Sequence, residues 1–296
     1  MAERTPIVVV DRESGRTFEE AVLGEKWIRW AYQDAGSSLL ERLLFRSSLL
    51  SRLMGLYYDS PLSKPKIDQV IAELGIDRSE FAEPASYGSF NEFFIRRLKP
   101  GTRPYSQDPK TLVSPADGRV LVFPTLDADS FAPVKGHPFS LRTMLPRHAE
   151  RFINGALAIV RLCPSDYHRY HFPCAGSISH VEDIAGALHS VNPIALASGA
   201  DVFGANKRSY TLIETEHAGT VCYMEVGAFG VGSIVNTKRE GRVEKMEEKG
   251  WFKFGGSTVV LVFEPGKIKF SDDLVANSLA GRETLVKVGQ DLATLA

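Results

Sequence analysis

The 296-residue sequence predicts an α+β protein, in which a helical N-terminal region precedes a β-rich, mostly antiparallel body of barrel-like or sandwich-like form. Before about residue 60, apolar residues recur every three or four positions, as in amphipathic helices. From about residue 112, short apolar runs alternate with Asp-Gly, glycine and proline turns, as in antiparallel sheets. We therefore expect two regions, residues 1–105 and 106–296.

Composition excludes several classes of protein. The chain has 35 basic and 36 acidic residues, so no net field attracts it to nucleic acid. Its three cysteines lack C-x-x-C spacing, which argues against a disulfide scaffold and a cysteine zinc site and favours a reducing compartment. The N-terminus has no secretory signal, and no apolar run reaches the ~18 residues of a spanning helix. Any membrane contact is expected at the surface.

The N-terminal elements follow in order. Ile7–Val10 predicts a short strand. Between Glu25 and Tyr58, an apolar stripe with interspersed arginines is bracketed by tryptophans and tyrosines. This pattern fits a helix lying in a membrane interface, and it fits equally a helix packed on its own core. Ser63–Gly75 predicts another helix, and the capping-box spacing that begins at Ser89 predicts helix from Phe93 to Leu98.

The body contains a series of predicted strands. They are Val120–Phe123, Ala156–Val160, Tyr210–Ile213, Val221–Val226 and Thr258–Glu264. The last strand follows Gly255-Gly256-Ser257, so a hydroxyl lies at the start of a rigid element, beside a Gly256 carbonyl that glycine leaves open to attack. Alone, the same residues also fit an ordinary glycine-kinked strand entry.

Three other stretches could supply partners for Ser257. Ser114–Arg119 contains Asp117 in an Asp-Gly turn, which is either a simple hairpin or a holder for a carboxylate. Pro164–Pro173 carries His168 and His171, which in an extended segment point to different sides and can perform different tasks. A histidine paired with Asp117 would be a base for the Ser257 hydroxyl. Leu188–Pro193, by itself, is only a turn signal.

In this order and spacing, Ser-Pro-Ala-Asp-Gly, Tyr-His-Arg-Tyr-His-Phe-Pro, Ser-Val-Asn-Pro and Gly-Gly-Ser-Thr resemble the phosphatidylserine decarboxylase family. The similarity extends to Phe90–Leu98 and Gly101–Pro104, so it covers nearly the whole chain. Many members have Leu-Gly-Ser-Thr where this chain has Gly-Gly-Ser-Thr, which looks like one of the long-form subgroups. The Gly-Ser bond is the same in both.

The resemblance implies a proenzyme that cuts itself between Gly256 and Ser257, giving a β chain of residues 1–256 and an α chain of residues 257–296. Asp117 and His171 are implied as the charge-relay pair that deprotonates Ser257. Ser257 then becomes a covalent pyruvoyl group, which accepts electrons during decarboxylation in place of pyridoxal phosphate. His168 is implied as the acid that also orients the substrate carboxylate. Ser190 is a candidate for a hydrogen bond to the substrate, and no metal is expected.

The implied reaction converts phosphatidylserine to phosphatidylethanolamine and CO2. The implied partners are a phospholipid, a membrane surface and the two chains of one precursor, with self-association left open and nucleic acid excluded. The implied location is the cytoplasmic face of the cell membrane, as a peripheral protein. Three alternatives stand beside this interpretation: a pyruvoyl decarboxylase of a soluble amino acid, a hydrolase using Ser257, His171 and Asp117, and a lipid-binding protein without chemistry.

Overall fold

A computed structural model describes residues 6–23, 48–82, 84, 86–126, 129–134, 137–189, 191, 193, 202–228, 234–254 and 257–296. Its elements are, in order, β1 (Val8–Asp11), β2 (Thr17–Glu19), α1 (Ser48–Asp59), α2 (Pro65–Leu74), β3 (Phe81–Ala82), α3 (Phe90–Phe94), β4 (Arg97–Leu98), β5 (Thr111–Val113), β6 (Gly118–Phe123), β7 (Ser130–Val134), β8 (His137–Ser140), α4 (Leu141–Met144), β9 (Ala156–Leu162), β10 (Arg169–His171), β11 (Gly176–Ile184), α5 (Val202–Ala205), β12 (Arg208–Glu214), β13 (Thr220–Gly227), β14 (Ile234–Asn236), β15 (Gly241–Val243), β16 (Glu248–Phe252), β17 (Ser257–Phe263), β18 (Ile268–Phe270), α6 (Asp272–Leu279), β19 (Glu283–Val286) and β20 (Asp291–Leu295).

Among the described residues, ten strands form the main sheet, in the order β15-β11-β12-β13-β17-β9-β6-β19-β1-β2. Its strands are antiparallel except for the pair β1 and β19. The α+β class and the mostly antiparallel body are therefore confirmed. The barrel-like form is wrong, because β15 and β2 end the described sheet without pairing with each other. A second sheet of β10, β16 and β14 packs on one face.

Strand β17 lies at the centre of the main sheet. It pairs with β13 on one side and β9 on the other, and all seven of its residues are buried. Val259, Leu261 and Phe263 contribute to the core between the two sheets, whereas Val260 and Val262 contribute to the core on the opposite face. Burying each such side chain contributes about 1.5–3 kcal/mol, which explains why an uninterrupted apolar run occupies this position.

The N-terminal region agrees with the sequence in part. The helix predicted over Ser63–Gly75 is found as α2, and Gly75 caps its C-terminus with a left-handed φ of 61°. The hydroxyl of Ser89 caps α3, as the capping-box spacing predicts, by accepting from the Glu92 N–H at 3.2 Å. The helix predicted to reach Leu98 is wrong: it ends at Phe94, because β4 pairs with β3.

Residues 25–47 of the predicted amphipathic segment lie outside the described residues, and the rest of the segment is helical over α1. None of the helices described is long and apolar enough to cross a membrane. The predicted strand Ile7–Val10 is found as β1, which pairs in parallel with β19 near the C-terminus. The division at residue 105 stays a prediction.

Candidate active site

Ser257 is the first residue of β17, opposite Gly227 of β13 and Leu162 of β9. Because side chains alternate along a strand, it faces the same way as Val259 and Leu261, into the space between the two sheets. The side chain is 1% exposed, and its Oγ has no hydrogen-bond partner among the residues described. An unpaired buried hydroxyl costs about 1–3 kcal/mol, so its presence points to a use beyond folding.

His168 is fully buried and lies against the ring of Phe94, with 3.8 Å between centroids. Its Nδ1 is 3.0 Å from the Asp166 carbonyl, which can only accept, so Nδ1 carries the proton and Nε2 presents a lone pair. Nε2 is buried and has no hydrogen-bond partner within the described part of the chain. Burial, and then the charge of Arg96, lower the pKa of His168 to about 3. The ring is therefore neutral at pH 7.

Buried ionic contacts hold the backbone that orients His168. The Asp166 carboxylate accepts from the Cys163 N–H at 2.6 Å and pairs with Arg119. Arg119 in turn pairs with Glu20 at 2.6 Å. The Asp166 carbonyl also accepts from Nη2 of Arg96 at 2.9 Å. The carbonyl that sets the tautomer of His168 is thus fixed from two sides.

His171 lies beside the Asp-Gly turn, since its N–H donates to the Pro115 carbonyl at 2.8 Å. Its Nδ1 is 2.9 Å from the Met246 carbonyl, so Nδ1 donates and Nε2 accepts. The Tyr167 hydroxyl lies 3.3 Å from Nε2. Burial lowers the pKa of His171, while the charges of Glu248 and Asp117 act in the opposite direction. Both ring nitrogens therefore have partners in this structure.

Asp117 is buried and held by two donors. Its Oδ1 accepts from the Val288 N–H at 2.7 Å, and Arg103 reaches its two oxygens at 2.8 and 3.3 Å. Burial raises the pKa of Asp117, and Arg103 opposes this effect. Among the described residues, no hydrogen bond joins Asp117 to His171 or either residue to Ser257. The charge of Asp117 nevertheless favours the protonated form of His171.

Residues 253 and 254, which precede Ser257, contact the N-terminal helices α1 and α3. The ring of Phe254 packs on Tyr58 of α1 and Phe90 of α3, with centroids 4.5 and 4.9 Å apart. The Phe254 N–H donates to Asn91 at 2.9 Å. Lys253 pairs with Asp59 at the end of α1 at 2.8 Å. The helix with the amphipathic pattern is therefore attached directly to the chain that leads into the site.

Two of the predicted site residues, Gly256 and Ser190, lie outside the described residues. Sequence reasoning missed the residues that hold the site together, because their partners are distant in the chain. Arg103 and Asp166 belong to stretches already singled out, Gly101–Pro104 and Pro164–Pro173, but neither stretch reveals what they bind. The missed residues are Phe94, Arg96, Arg103, Arg119, Asp166 and Tyr167.

A sequence model of the family described as phosphatidylserine decarboxylase matches residues 90–294. The chain belongs to the phosphatidylserine decarboxylase family. It is 40% identical over 291 residues to the phosphatidylserine decarboxylase proenzyme of Clostridium perfringens (strain SM101), covering 97% of this chain and 99% of that protein. The Chlamydia trachomatis serovar L2 proenzyme is 40% identical over 290 residues, covering 97% and 96%.

The Clostridium kluyveri proenzyme is 40% identical over 278 residues, covering 92% of this chain and 94% of that protein. The resemblance stated from the sequence, to the phosphatidylserine decarboxylases, is confirmed over nearly the full length. The predicted enzyme class, a carboxy-lyase, is confirmed with it.

Proposed function

We propose that this chain is a proenzyme that cuts itself between Gly256 and Ser257 and then decarboxylates phosphatidylserine to phosphatidylethanolamine. The observation that carries the proposal is the buried, unpartnered Ser257 hydroxyl at the start of the central strand of a phosphatidylserine decarboxylase family member. Its relatives carry the name proenzyme, which fits a chain that matures into two pieces. The cut would leave a β chain of residues 1–256 and an α chain of residues 257–296.

In the first reaction, the Ser257 hydroxyl loses its proton to a base and attacks the Gly256 carbonyl, so that the Gly256–Ser257 peptide bond is exchanged for an ester. Loss of the Ser257 α-proton then expels the Gly256 carboxylate, and the dehydroalanine left at position 257 takes up water and releases ammonia to become the pyruvoyl group. We assign that base to His171, with Asp117 supporting the imidazolium through its charge. To accept the proton, Nε2 of His171 must exchange the Tyr167 hydroxyl, 3.3 Å away, for Ser257. The hydroxyl and the carbonyl belong to adjacent residues, so the reaction benefits from a high effective concentration.

Two observations support a competing assignment of the base, to His168. His168 is already neutral, and its Nε2 is buried without a hydrogen-bond partner in the described chain, as is Ser257 Oγ. Under our assignment, His168 acts in the second reaction, where it moves a proton and orients the departing carboxylate. Under the competing assignment, His168 serves Ser257 directly and is needed for the cut. Variants at the two histidines separate these versions.

The surroundings of Ser257 fit a pyruvoyl group formed there. A pyruvoyl group at position 257 would supply an electrophilic carbonyl for the substrate amine and a sink for the electrons released with CO2, the chemistry that pyridoxal phosphate supplies in other decarboxylases. After the cut, β17 stays paired with β13 and β9, which pins its first residue in the site. Phe94 packs against His168, and both side chains are buried, which favours a site with little water.

The lipid substrate requires the protein to reach a bilayer. Leu53 and Leu56 of α1 and Leu62 just beyond it are 55%, 69% and 77% exposed, and the same helix contacts Phe254. We therefore propose that α1 docks on the cytoplasmic face of the cell membrane, as part of a peripheral protein. Arg169, Lys207 and Arg208 are candidates for binding the headgroup phosphate. Arg169 and Arg208 already bind protein groups, whereas Lys207 is exposed.

The experiment combines cleavage with product analysis. The purified chain should appear as two pieces on a denaturing gel and release CO2 from phosphatidylserine in vesicles. Ser257→Ala and His171→Ala should stay uncut, whereas His168→Ala should be cut yet release no CO2. An uncut His168→Ala would transfer the role of base to His168. CO2 released from free serine at the same rate as from the lipid would instead favour the soluble amino-acid substrate.

A further inference from the structure

A cluster of His148, His180 and Glu182 lies away from the site described above. One ligand atom from each residue can be chosen so that all three lie within 4.8 Å of one another. Tyr210 and Leu212, opposite Glu182 and His180, pack in the core on the face of the main sheet opposite to that of Ser257. The cluster is therefore separate from the proposed decarboxylase site.

Two local features of the fold bring these residues together. The register of β11 shifts between Ile178 and His180, and such irregularities re-aim the side chains that follow. His180 and Glu182 are two residues apart on this strand and so share a face. His148 comes from the connection after α4, and its ring lies 4.7 Å from that of His180. His148 and His180 both line one surface groove, and Glu182 lies beside them.

Hydrogen bonds and short contacts join the members of the cluster to one another and to Tyr210. The Tyr210 hydroxyl donates to Glu182 and lies 2.9 Å from Nδ1 of His148. Nε2 of His180 is 3.5 Å from Glu182.

The charged neighbours are already paired with protein groups. Arg147 is 3.3 Å from Oε1 of Glu182. Arg151 pairs with Glu214 at 3.2 Å and donates to Thr220 at 2.6 Å. Glu150 pairs with Arg142. The two imidazoles therefore face one carboxylate whose second oxygen is shared with an arginine.

We propose that His148, His180 and Glu182 bind a divalent transition-metal ion, with zinc the expected occupant. Two imidazoles and a carboxylate match the three protein ligands of open zinc sites, with water in the fourth position. Ligand atoms at zinc distances lie about 3.3 Å apart, so binding draws the cluster together from its present spacing. The ion would fasten the connection after α4 to strand β11.

The test measures zinc binding to the mature protein after treatment with a chelator and dialysis. Calorimetry should give one zinc ion per molecule of mature protein for the wild type. His148→Ala and His180→Ala should each weaken binding at least tenfold. His217→Ala, at an exposed histidine in the turn before β13, is the matched control and should bind as the wild type does. Cobalt in place of zinc should give visible absorption bands that His180→Ala loses.

Two further measurements keep the result decisive. Zinc should raise the melting temperature of the wild type and leave that of the His148→Ala/His180→Ala double variant unchanged, while both proteins release CO2 equally. Equal melting temperatures without zinc would show that the double variant folds. Absence of saturable zinc binding would overturn the proposal. The proposal would also be overturned if the double variant bound zinc with wild-type affinity while His168→Ala lost zinc binding. That result would place the ion near His168 instead.

Discussion

A fully buried ion pair beside the proposed site provides a quantitative prediction. Nζ of Lys249, on β16, lies 2.5 Å from Oε1 of Glu225 on β13, and both side chains are inaccessible to solvent. Asn236 bonds to both of them, at 2.9 and 3.2 Å. Glu225 is opposite Val259, two residues after Ser257. The pair therefore ties the strand that leads into the proposed cut to a strand that flanks Ser257.

We predict that Lys249→Met lowers the free energy of unfolding by about 3–5 kcal/mol, because it leaves Glu225 buried without its counter-charge. Burial raises the pKa of Glu225, and the main effect opposing this rise is the charge of Lys249. The variant should therefore raise that pKa further. A carboxyl group whose folded-state pKa lies above its unfolded value of about 4.3 holds its proton more tightly in the folded state. The resulting stability is present below that unfolded value and is lost as the pH rises through the folded-state pKa. The penalty should accordingly be larger at pH 8 than at pH 5.

The assay is urea unfolding in a Ser257→Ala background, which by our proposal keeps every molecule as one chain. The control is Lys249→Met combined with Glu225→Gln, which removes both charges. It should cost only about 1–2 kcal/mol, the scale of the hydrogen bonds lost. In the natural background, Lys249→Met should also slow the self-cleavage. A single-variant cost below about 1 kcal/mol, or a penalty independent of pH, would refute this reasoning about the pair.

Three other predictions address the site and the surface. His168→Ala should be cut normally, with its rate of CO2 release lowered at least about 100-fold, as measured by gel and gas release. Burial lowers the folded-state pKa of His168 to about 3, below the unfolded value near 6.5, so the free energy of unfolding should fall as the pH drops from 6.5 to 3. In urea unfolding, His168→Phe should reduce this dependence on pH. Leu56→Asp should weaken binding to anionic vesicles about 10- to 100-fold, while Leu279→Asp, 81% exposed on α6, should not, and equal sedimentation of both variants with vesicles would contradict docking through α1.

The sequence predicts the elements whose signals are local. The apolar run after Ser257 is the central strand because it is buried on both faces, and Gly75 and Ser89 end and begin helices as their chemistry requires. The helix beyond Phe94 was predicted wrongly because pairing of β4 with β3, a tertiary contact, outweighs local preference. Helix α6 was not predicted at all.

The candidate site also has residues that the sequence predicts and contacts that it does not. Ser257, His168, His171 and Asp117 are recognisable by their order along the chain. The contacts that set their protonation are not, because they join residues far apart: Arg119 reaches Asp166 across 47 positions, and the Val288 N–H reaches Asp117 across 171. The periodic patterns of apolar residues in the sequence do not indicate such long-range pairs. The open edges of the main sheet likewise depend on strand order, which local patterns leave undetermined.

The most direct test of the account is the intact mass of freshly purified, active protein. We expect two polypeptides of 256 and 40 residues, the shorter one beginning at position 257 with a group that blocks N-terminal sequencing. A single polypeptide of 296 residues that releases CO2 from phosphatidylserine while keeping an unmodified serine at position 257 would contradict it.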